Sequence, residues 1–294
     1  MIAAYFGVIL VCRVIQTVFV KKISGGIESA KALFRYYSLQ NTLSALFGLL
    51  FLLFSGEKLR LNGATALYAL LFAAALFTTQ YSAVKAIRLG TISLYSMSGT
   101  AGMIVPVLAG ALFFGDRVSP MQILSLAVFF LAMWQLIAAT KQSTVSFDLR
   151  SVVYLLIGLL SNGATMLVQQ LFSKTVTDGS VTVFSLLSFA FLAAFMGVTS
   201  LFLKDGEGEA APAYAPPLLS ALLLAAALFV INQLSTILAA FVSPILLFAF
   251  LSGGGTVISV VVAAVVFREK MNVRIAISVA VGIAALIGLK IFVP

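Results

Sequence analysis

The sequence AAALF occupies residues 73–77 and recurs at residues 225–229, an offset of 152 residues. A second match follows later in each half of the chain. There, FGDR at residues 114–117 corresponds to FREK at residues 267–270, at an offset of 153 residues. Two matches at nearly the same offset indicate an internal repeat, and a repeat of this length organises a whole fold.

The composition predicts an integral membrane protein. The chain has 294 residues, of which 62% are hydrophobic and 9% are charged, whereas soluble domains have about 25% charged residues. So few charges cannot cover a water-exposed surface, so the excess apolar area must face lipid. Backbone polar groups have no water partner inside lipid, and the apolar runs are therefore expected to be helices.

The apolar runs between charged, Gly and Pro residues predict ten membrane-spanning helices. A span needs about 20 mostly apolar residues, so ten spans with short loops leave no room for a soluble domain. The predicted bounds are residues 3–21, 32–54, 65–86, 91–114, 120–140, 151–174, 180–203, 217–240, 243–267 and 272–292.

The repeat divides these ten helices into two sets of five, residues 1–145 and residues 146–294. Because five is odd, the second set enters the membrane from the opposite side, which makes an inverted-topology repeat. Secondary transporters use such repeats for alternating access around a central site. The predicted fold is an all-α integral membrane protein with ten transmembrane helices in two inverted five-helix repeats, and the predicted function is transport.

The turns between the fourth and fifth helix of each half carry a family resemblance. They read GDRV at residues 115–118 and REKM at residues 268–271. On these turns and the helix pattern, the chain resembles the EamA-like branch of the drug/metabolite transporter (DMT) superfamily over its whole length. The family's usual turn has Gly-Glu, where this chain has Gly-Asp and Arg-Glu. The resemblance implies a multi-pass carrier of small metabolites in the bacterial cytoplasmic (inner) membrane. It also implies a central cavity lined mainly by helices 1, 3, 4, 6, 8 and 9.

Arg13 is the most informative polar residue at membrane depth. It lies about ten residues into the first helix, which is near 15 Å by helical rise. Ionisable groups at this depth are costly and normally face the bundle interior. Gln16 lies three residues further on and is expected to share the face of Arg13. A substrate-binding role and a structural or snorkelling role both stay open.

Two repeat-related helices carry further candidates for substrate binding. Helix 3 contains Gln80, Tyr81 and Lys85, and helix 8 contains Asn232 and Gln233. The offset of 152 residues places Gln80 opposite Asn232. Related polar groups at related positions suggest a shared central cavity. Hydrogen bonding between helices, worth about 0.6 kcal/mol per pair in membranes, explains them equally well.

Helices 4 and 6 complete the set of candidates with Tyr95, Asn162 and Gln169. The run SGGGT at residues 252–256 interrupts the predicted ninth helix. A broken helix could expose backbone groups to a substrate, but small residues also permit tight packing, and packing is the preferred interpretation.

Absent residue types exclude several classes of protein. The chain has no His and a single Cys, Cys12, which excludes a His metal site, a Ser-His-Asp triad and an intrachain disulfide. The nine acidic residues all fall in predicted loops or helix ends. We therefore predict no enzyme activity, no metal and no cofactor. The net charge of +9 is spread among loops without a cluster, which indicates membrane lipids rather than nucleic acid as the charged partner.

The predicted substrate is a small polar metabolite that is anionic or zwitterionic, such as an amino acid, an organic acid or a phosphorylated metabolite. No acid lies at mid-membrane to bind a cation, whereas Arg13, with Lys85 towards the end of its helix, favours a carboxylate or phosphate. The alternatives are an exporter of organic cations or drugs and a non-transporting membrane subunit. Fused halves are expected to function as a monomer.

Basic residues are distributed unevenly between the two sides of the predicted bundle. Twelve flank the loops after helices 1, 3, 5, 7 and 9, and five lie on the other side. The positive-inside rule then places both termini outside, whereas the family resemblance implies both inside. Orientation, direction of transport and coupling ion stay open at the level of sequence.

Overall fold

The computed structural model describes residues 1–24, 29–57, 59–88, 100–113, 115, 118–140, 149–203, 218–266, 268 and 273–291. All regular secondary structure in these residues is helical. The first eight helices are α1 Ile2–Ser24, α2 Ala30–Ser55, α3 Gly63–Arg88, α4 Ile104–Phe113, α5 Pro120–Thr140, α6 Leu149–Thr175, α7 Val181–Phe202 and α8 Leu218–Ala239. The ninth helix is continuous but contains a π segment, and its parts are α9a Pro244–Phe248, the π segment Ala249–Gly254 and α9b Gly255–Val265. The last helix is α10 Val273–Ile291.

Seven of the described helices are long and apolar enough to cross a membrane. Three shorter apolar stretches, Ile104–Phe113, Pro120–Gln135 and Val273–Leu289, belong to α4, α5 and α10, where the fourth, fifth and tenth spans are predicted. Large apolar side chains such as Leu53 and Leu201 are exposed, as expected for surfaces that face lipid. The prediction of an all-α, multi-pass membrane protein is confirmed.

The fourth helix differs from its predicted bounds of 91–114. Residues 89–99 lie outside the described residues. Thr100 and Ala101 are helical, a turn follows at Gly102 and Met103, and α4 begins at Ile104. Pro106 has no N–H to donate to Gly102, and proline is tolerated mainly in the first helical turn. The other described helices begin and end within three residues of their predicted bounds.

Side-chain caps fix the ends of α2 and α7. Ser29 and Ser180 each accept a backbone N–H of the first turn that follows, and Gly56 ends α2 with φ +70°. Ser180 Oγ also donates to Glu57 Oε2 at 2.8 Å. The carboxylate of Glu57 therefore lies near the start of α7, where the helix dipole favours negative charge.

The chain forms two compact units. The first unit comprises Met1–Phe77 and Leu171–Leu238, and the second comprises Thr78–Gln170 and Ala239–Pro294. Of the three boundaries, two fall inside α3 and α6, and the third precedes the last residue of α8. Each unit combines segments from before and after residue 145, so the compact units are not the predicted sequence repeats. The repeats of residues 1–145 and 146–294 stay a prediction.

The first unit is built around the antiparallel pair α2 and α7. Ser38 Oγ donates to the carbonyl of Ala193 at 2.9 Å. Further along α2, a Cβ on Gly48 would lie 3.2 Å from Leu186 Cβ, so the helices touch at the glycine. Helix α8 joins this pair, because Ser44 Oγ donates to the carbonyl of Ala225 at 3.1 Å.

The second unit contains the antiparallel pair α5 and α10. Gln122 Nε2, near the start of α5, donates to the carbonyl of Leu289, near the end of α10, at 3.2 Å. A Cβ on Gly282 would come within 2.9 Å of Met133 Cε. Glycine at this position therefore permits the close approach of the two helices.

Candidate functional site

Arg13 lies at the middle of α1, eleven residues from each end of Ile2–Ser24. Its Nη1 donates to Gln16 Oε1 at 2.8 Å, and Thr17 Oγ1 donates to the carbonyl of Arg13 at 2.9 Å. Arg13 and Gln16 thus share one face of the helix, as their spacing predicts.

The Arg13 guanidinium keeps hydrogen-bonding capacity that the described residues do not use. Its Nε is buried without a hydrogen-bond partner, and no described carboxylate forms an ion pair with it. A guanidinium presents five N–H donors in a planar fork, and Gln16 accepts only one. A charge at mid-membrane is costly, and a carboxylate or phosphate can bind such a fork in a bidentate manner. Arg13 is therefore able to bind an anionic group.

Asn232 and Gln233 belong to a hydrogen-bond network between α7 and α8. Asn232 Nδ2 donates to Ser185 Oγ at 3.0 Å, and Ser185 Oγ donates to Gln233 Oε1 at 2.9 Å. Gln233 Nε2 donates to Thr182 Oγ1 at 2.9 Å. All four side chains are buried. Of the two explanations that the sequence leaves open, these contacts favour hydrogen bonding between helices.

The α7 members of this network were missed by the sequence reasoning. Thr182, Ser185 and Ser188 are spaced three apart in the first half of α7 and are almost fully buried. This spacing places them on neighbouring positions of one helix face, and it is a signal that could have found them. The Ser188 hydroxyl is buried without a hydrogen-bond partner.

Gln80, Tyr81 and Lys85 lie in the part of α3 that belongs to the second unit. Thr79 Oγ1 donates to Ser161 Oγ at 2.9 Å, which fixes this part of α3 against α6. The adjacent Gln80 has its Oε1 buried without a partner. Lys85 Nζ lies 5.5 Å from the centroid of the Tyr81 ring, a cation–π contact.

Helix α6 carries Asn162, Gln169 and Gln170. Asn162 and Gln169 both have partners within the fold. Gln170 is different, because it is 1% exposed and neither its Nε2 nor its Oε1 has a hydrogen-bond partner. Leaving a buried polar group unsatisfied costs about 1–3 kcal/mol, so each such group requires an explanation.

The face of α6 that carries Gln170 is turned towards α4 and the π segment. Gly163 and Met166 lie seven and four residues before Gln170, which places all three on one face. A Cβ on Gly163 would come within 2.6 Å of the carbonyl oxygen of Gly102. Ser252 Oγ donates to Met166 Sδ at 3.9 Å. Gln170 therefore extends a stripe that faces the interior of the second unit.

The predicted interruption at residues 252–256 takes the form of the π segment Ala249–Gly254. The helix widens there and continues into α9b, so it is not broken into separated half-helices. A Cβ on Gly253 would lie 2.6 Å from Phe129 Cε2, which supports the packing interpretation. Thr256 Oγ1 donates to the carbonyl of Ser252 at 3.0 Å and lies 3.2 Å from Thr100 Oγ1.

Some predicted residues cannot be placed. Tyr95 lies outside the described residues, as do most of the two acidic–basic turns, residues 114, 116–117, 267 and 269–271. Among the candidates that the structure describes, it brings together Arg13 with Gln16, Tyr81 with Lys85, and Asn232 with Gln233.

The fold and these residues define a multi-pass α-helical membrane protein with polar groups buried inside its helical units. No model of a known protein family matches the chain, and no curated protein matches it. A solved structure described as "Crystal structure of protein" superposes on it with a TM-score of 0.82 at 13% identity. The match covers 99% of this chain and 98% of that chain. The two proteins therefore share a fold over their full lengths.

Proposed function

We propose that this protein is a secondary transporter of a small polar metabolite that carries an anionic group, working by alternating access. The main support is the guanidinium of Arg13 at the middle of α1. It donates a hydrogen bond to Gln16, and its Nε is buried without a hydrogen-bond partner. The proposal includes the inverted five-helix repeats and the bacterial inner membrane that the family resemblance implies.

Two helix pairs support an inverted repeat. Helix α2 packs against α7, and α5 packs against α10. In both pairs the partner lies five helices further along the chain. An odd number of helices per repeat requires related helices to run in opposite directions, and the contacts along both pairs are antiparallel. Packing of related helices against each other is expected where a pseudo-two-fold axis passes between them.

The chemistry of Arg13 supports an anionic or zwitterionic substrate. A carboxylate or phosphate would satisfy several of its N–H donors at once and would neutralise its charge. The amides of Gln80 and Gln170 support a polar substrate, because each has buried hydrogen-bonding capacity that its own unit leaves unused.

The first experiment is thermal stabilisation of the detergent-purified chain by amino acids, organic acids, sugar phosphates, nucleotides and quaternary amines. A ligand that binds only the folded state at 100 times its Kd adds about 2.7 kcal/mol to the apparent stability. We expect an anionic or zwitterionic compound to stabilise the wild type and to lose that effect in Arg13→Gln. Arg60→Gln is the matched control, because Arg60 is exposed in the loop between α2 and α3.

Uptake of the identified compound into liposomes then tests transport itself. Stabilisation by organic cations alone, or equal stabilisation of the wild type and Arg13→Gln, would contradict the substrate class. A compound that stabilises the wild type but not Arg13→Gln, and that never crosses the liposome membrane, would contradict transport. That result would favour a non-transporting subunit.

A further inference from the structure

A groove opens at one end of the antiparallel pair α5 and α10. The pair is held together by the Gln122–Leu289 hydrogen bond and by the close approach of Met133 to Gly282. Beyond that approach the helices leave a groove of about 390 Å³, a volume within the range of small-molecule sites. The groove is lined by Trp134, Gln135, Ala138, Arg274 and Ile277.

The lining is amphipathic and open to the surroundings of the protein. Trp134 is 57% exposed and Ile277 is 53% exposed, and the side chains of Gln135 and Arg274 are also exposed. An apolar wall next to a guanidinium and an amide matches neither a purely lipid-facing surface nor a purely aqueous one. It matches a molecule with an anionic group at one end and an apolar body.

The position along the helices places the groove at the edge of the membrane. Arg274 is the second residue of α10, and Trp134 lies six residues before the end of α5. Tryptophan is enriched at the level of the lipid headgroups, where an amphipathic ring meets both phases. Arginine at a helix end is close enough to the headgroups to contact a phosphate.

We propose that this groove binds an anionic phospholipid, with Arg274 on the phosphate and Gln135 hydrogen-bonded to the headgroup. Trp134 and Ile277 contact the glycerol backbone and the upper part of an acyl chain. The guanidinium supplies charge-assisted hydrogen bonds to phosphate oxygens. A basic pocket between transmembrane helices is the type of site that binds acidic headgroups.

Charge complementarity favours an anionic lipid over a zwitterionic one. The groove lies at the end of α5 and the start of α10, next to the loops for which the sequence predicts the side with twelve basic residues. Arg150 and Arg268 are exposed, and positive charges near the surface attract an anionic leaflet. These charges attract acidic lipids generally, and the groove selects one of them for a defined position.

Native mass spectrometry of the delipidated full-length chain tests this site. The protein is titrated with phosphatidylglycerol and, in parallel, with phosphatidylcholine. We expect one phosphatidylglycerol to bind the wild type at least tenfold more tightly than phosphatidylcholine. Arg274→Gln should weaken this binding about tenfold, as expected for the loss of a charged hydrogen bond. Trp134→Ala should also weaken this binding, because it removes the apolar contact of the indole ring with the lipid. Arg150→Gln, a basic residue exposed on the same side, should change it less than twofold.

Each alternative result overturns the proposal. Equal loss of binding in Arg274→Gln and Arg150→Gln would indicate general attraction of acidic lipids without a site. Equal binding of phosphatidylglycerol and phosphatidylcholine would contradict selection of an anionic lipid. A dimer that Trp134→Ala dissociates, with no effect on lipid, would assign the groove to a second copy of this chain. Thermal stability of each variant without lipid separates these results from misfolding.

Discussion

Gly115 and Arg268 have the same left-handed backbone conformation, with φ of +65° and +54°. They occupy the first position of the two acidic–basic turns, 153 residues apart. Arg268 is the only residue other than glycine with positive φ among those described. A left-handed conformation costs a residue with a Cβ about 1–2 kcal/mol. That the second turn keeps this geometry without glycine supports a common origin of the two turns.

The two turns should therefore respond oppositely to exchange of their first residues. Arg268→Gly should raise the free energy of unfolding by about 1 kcal/mol, because glycine adopts positive φ without strain. Gly115→Ala should lower it by a similar amount. Urea unfolding in detergent measures both. Arg60→Gly is the control, since Arg60 lacks positive φ and glycine there only adds unfolded-state entropy. A gain of stability in that control would indicate a charge effect instead of a backbone effect.

The contact of Gly253 with Phe129 predicts that the π segment tolerates no side chain at that position. Gly253→Ala should destabilise the fold by about 1–3 kcal/mol, the usual cost of overpacking. Phe129→Leu in the same chain should recover part of the loss by making room. Gly7→Ala is the matched control, because a Cβ there meets nothing within 4 Å and alanine is the better helix former. If Gly253→Ala destabilises the fold no more than Gly7→Ala does, close packing against Phe129 does not explain the glycine at position 253.

The network between α7 and α8 should show direct coupling between Gln233 and Thr182. A double-mutant cycle with Gln233→Leu and Thr182→Val isolates their 2.9 Å hydrogen bond. We expect a coupling energy of about 0.6 kcal/mol, the average for such bonds in membranes. Pairing Thr182→Val with Ser38→Ala, whose hydroxyl bonds Ala193, should give additive effects. If the effects of Gln233→Leu and Thr182→Val are additive, the hydrogen bond between the two residues does not stabilise the fold. Gln233 would then be available to contact a substrate.

Replacement by leucine should change the stability of the fold in opposite directions at the neighbouring residues Gln169 and Gln170. Gln170→Leu removes two unsatisfied polar atoms and should raise stability by about 1 kcal/mol or more. Gln169→Leu should lower it, because Gln169 has a partner within the fold. If Gln170 contacts the substrate, its variant should also lose ligand-induced stabilisation. A destabilised Gln170→Leu would mean that the amide is satisfied by water and acts structurally.

The helix ends were predictable from sequence because each rests on local chemistry. Ser29 and Ser180 cap their helices, and Gly56 ends one in a left-handed conformation. The i, i+3 contact between Arg13 and Gln16 followed from spacing alone. Local rules of this kind act over one or two turns and need no knowledge of the fold.

The remaining features depend on contacts between distant segments. Gly253 of the π segment packs against Phe129, which lies more than one hundred residues earlier in the chain. Asn232 and Gln233 bond hydroxyl groups of α7, a helix without charged or amide side chains. Among the described residues, seven helices satisfy the length and hydropathy of a span.

Trp134 is the only tryptophan in the chain, and it stands at the mouth of the groove between α5 and α10. The protein thus carries an intrinsic fluorophore at the place where a lipid is proposed to bind. Its emission, excited where tyrosine does not absorb, reports the polarity of that single position without any label. Acyl chains brominated at successive carbons would quench it according to their distance from the ring. The same spectrum therefore measures how deep the groove lies in the bilayer.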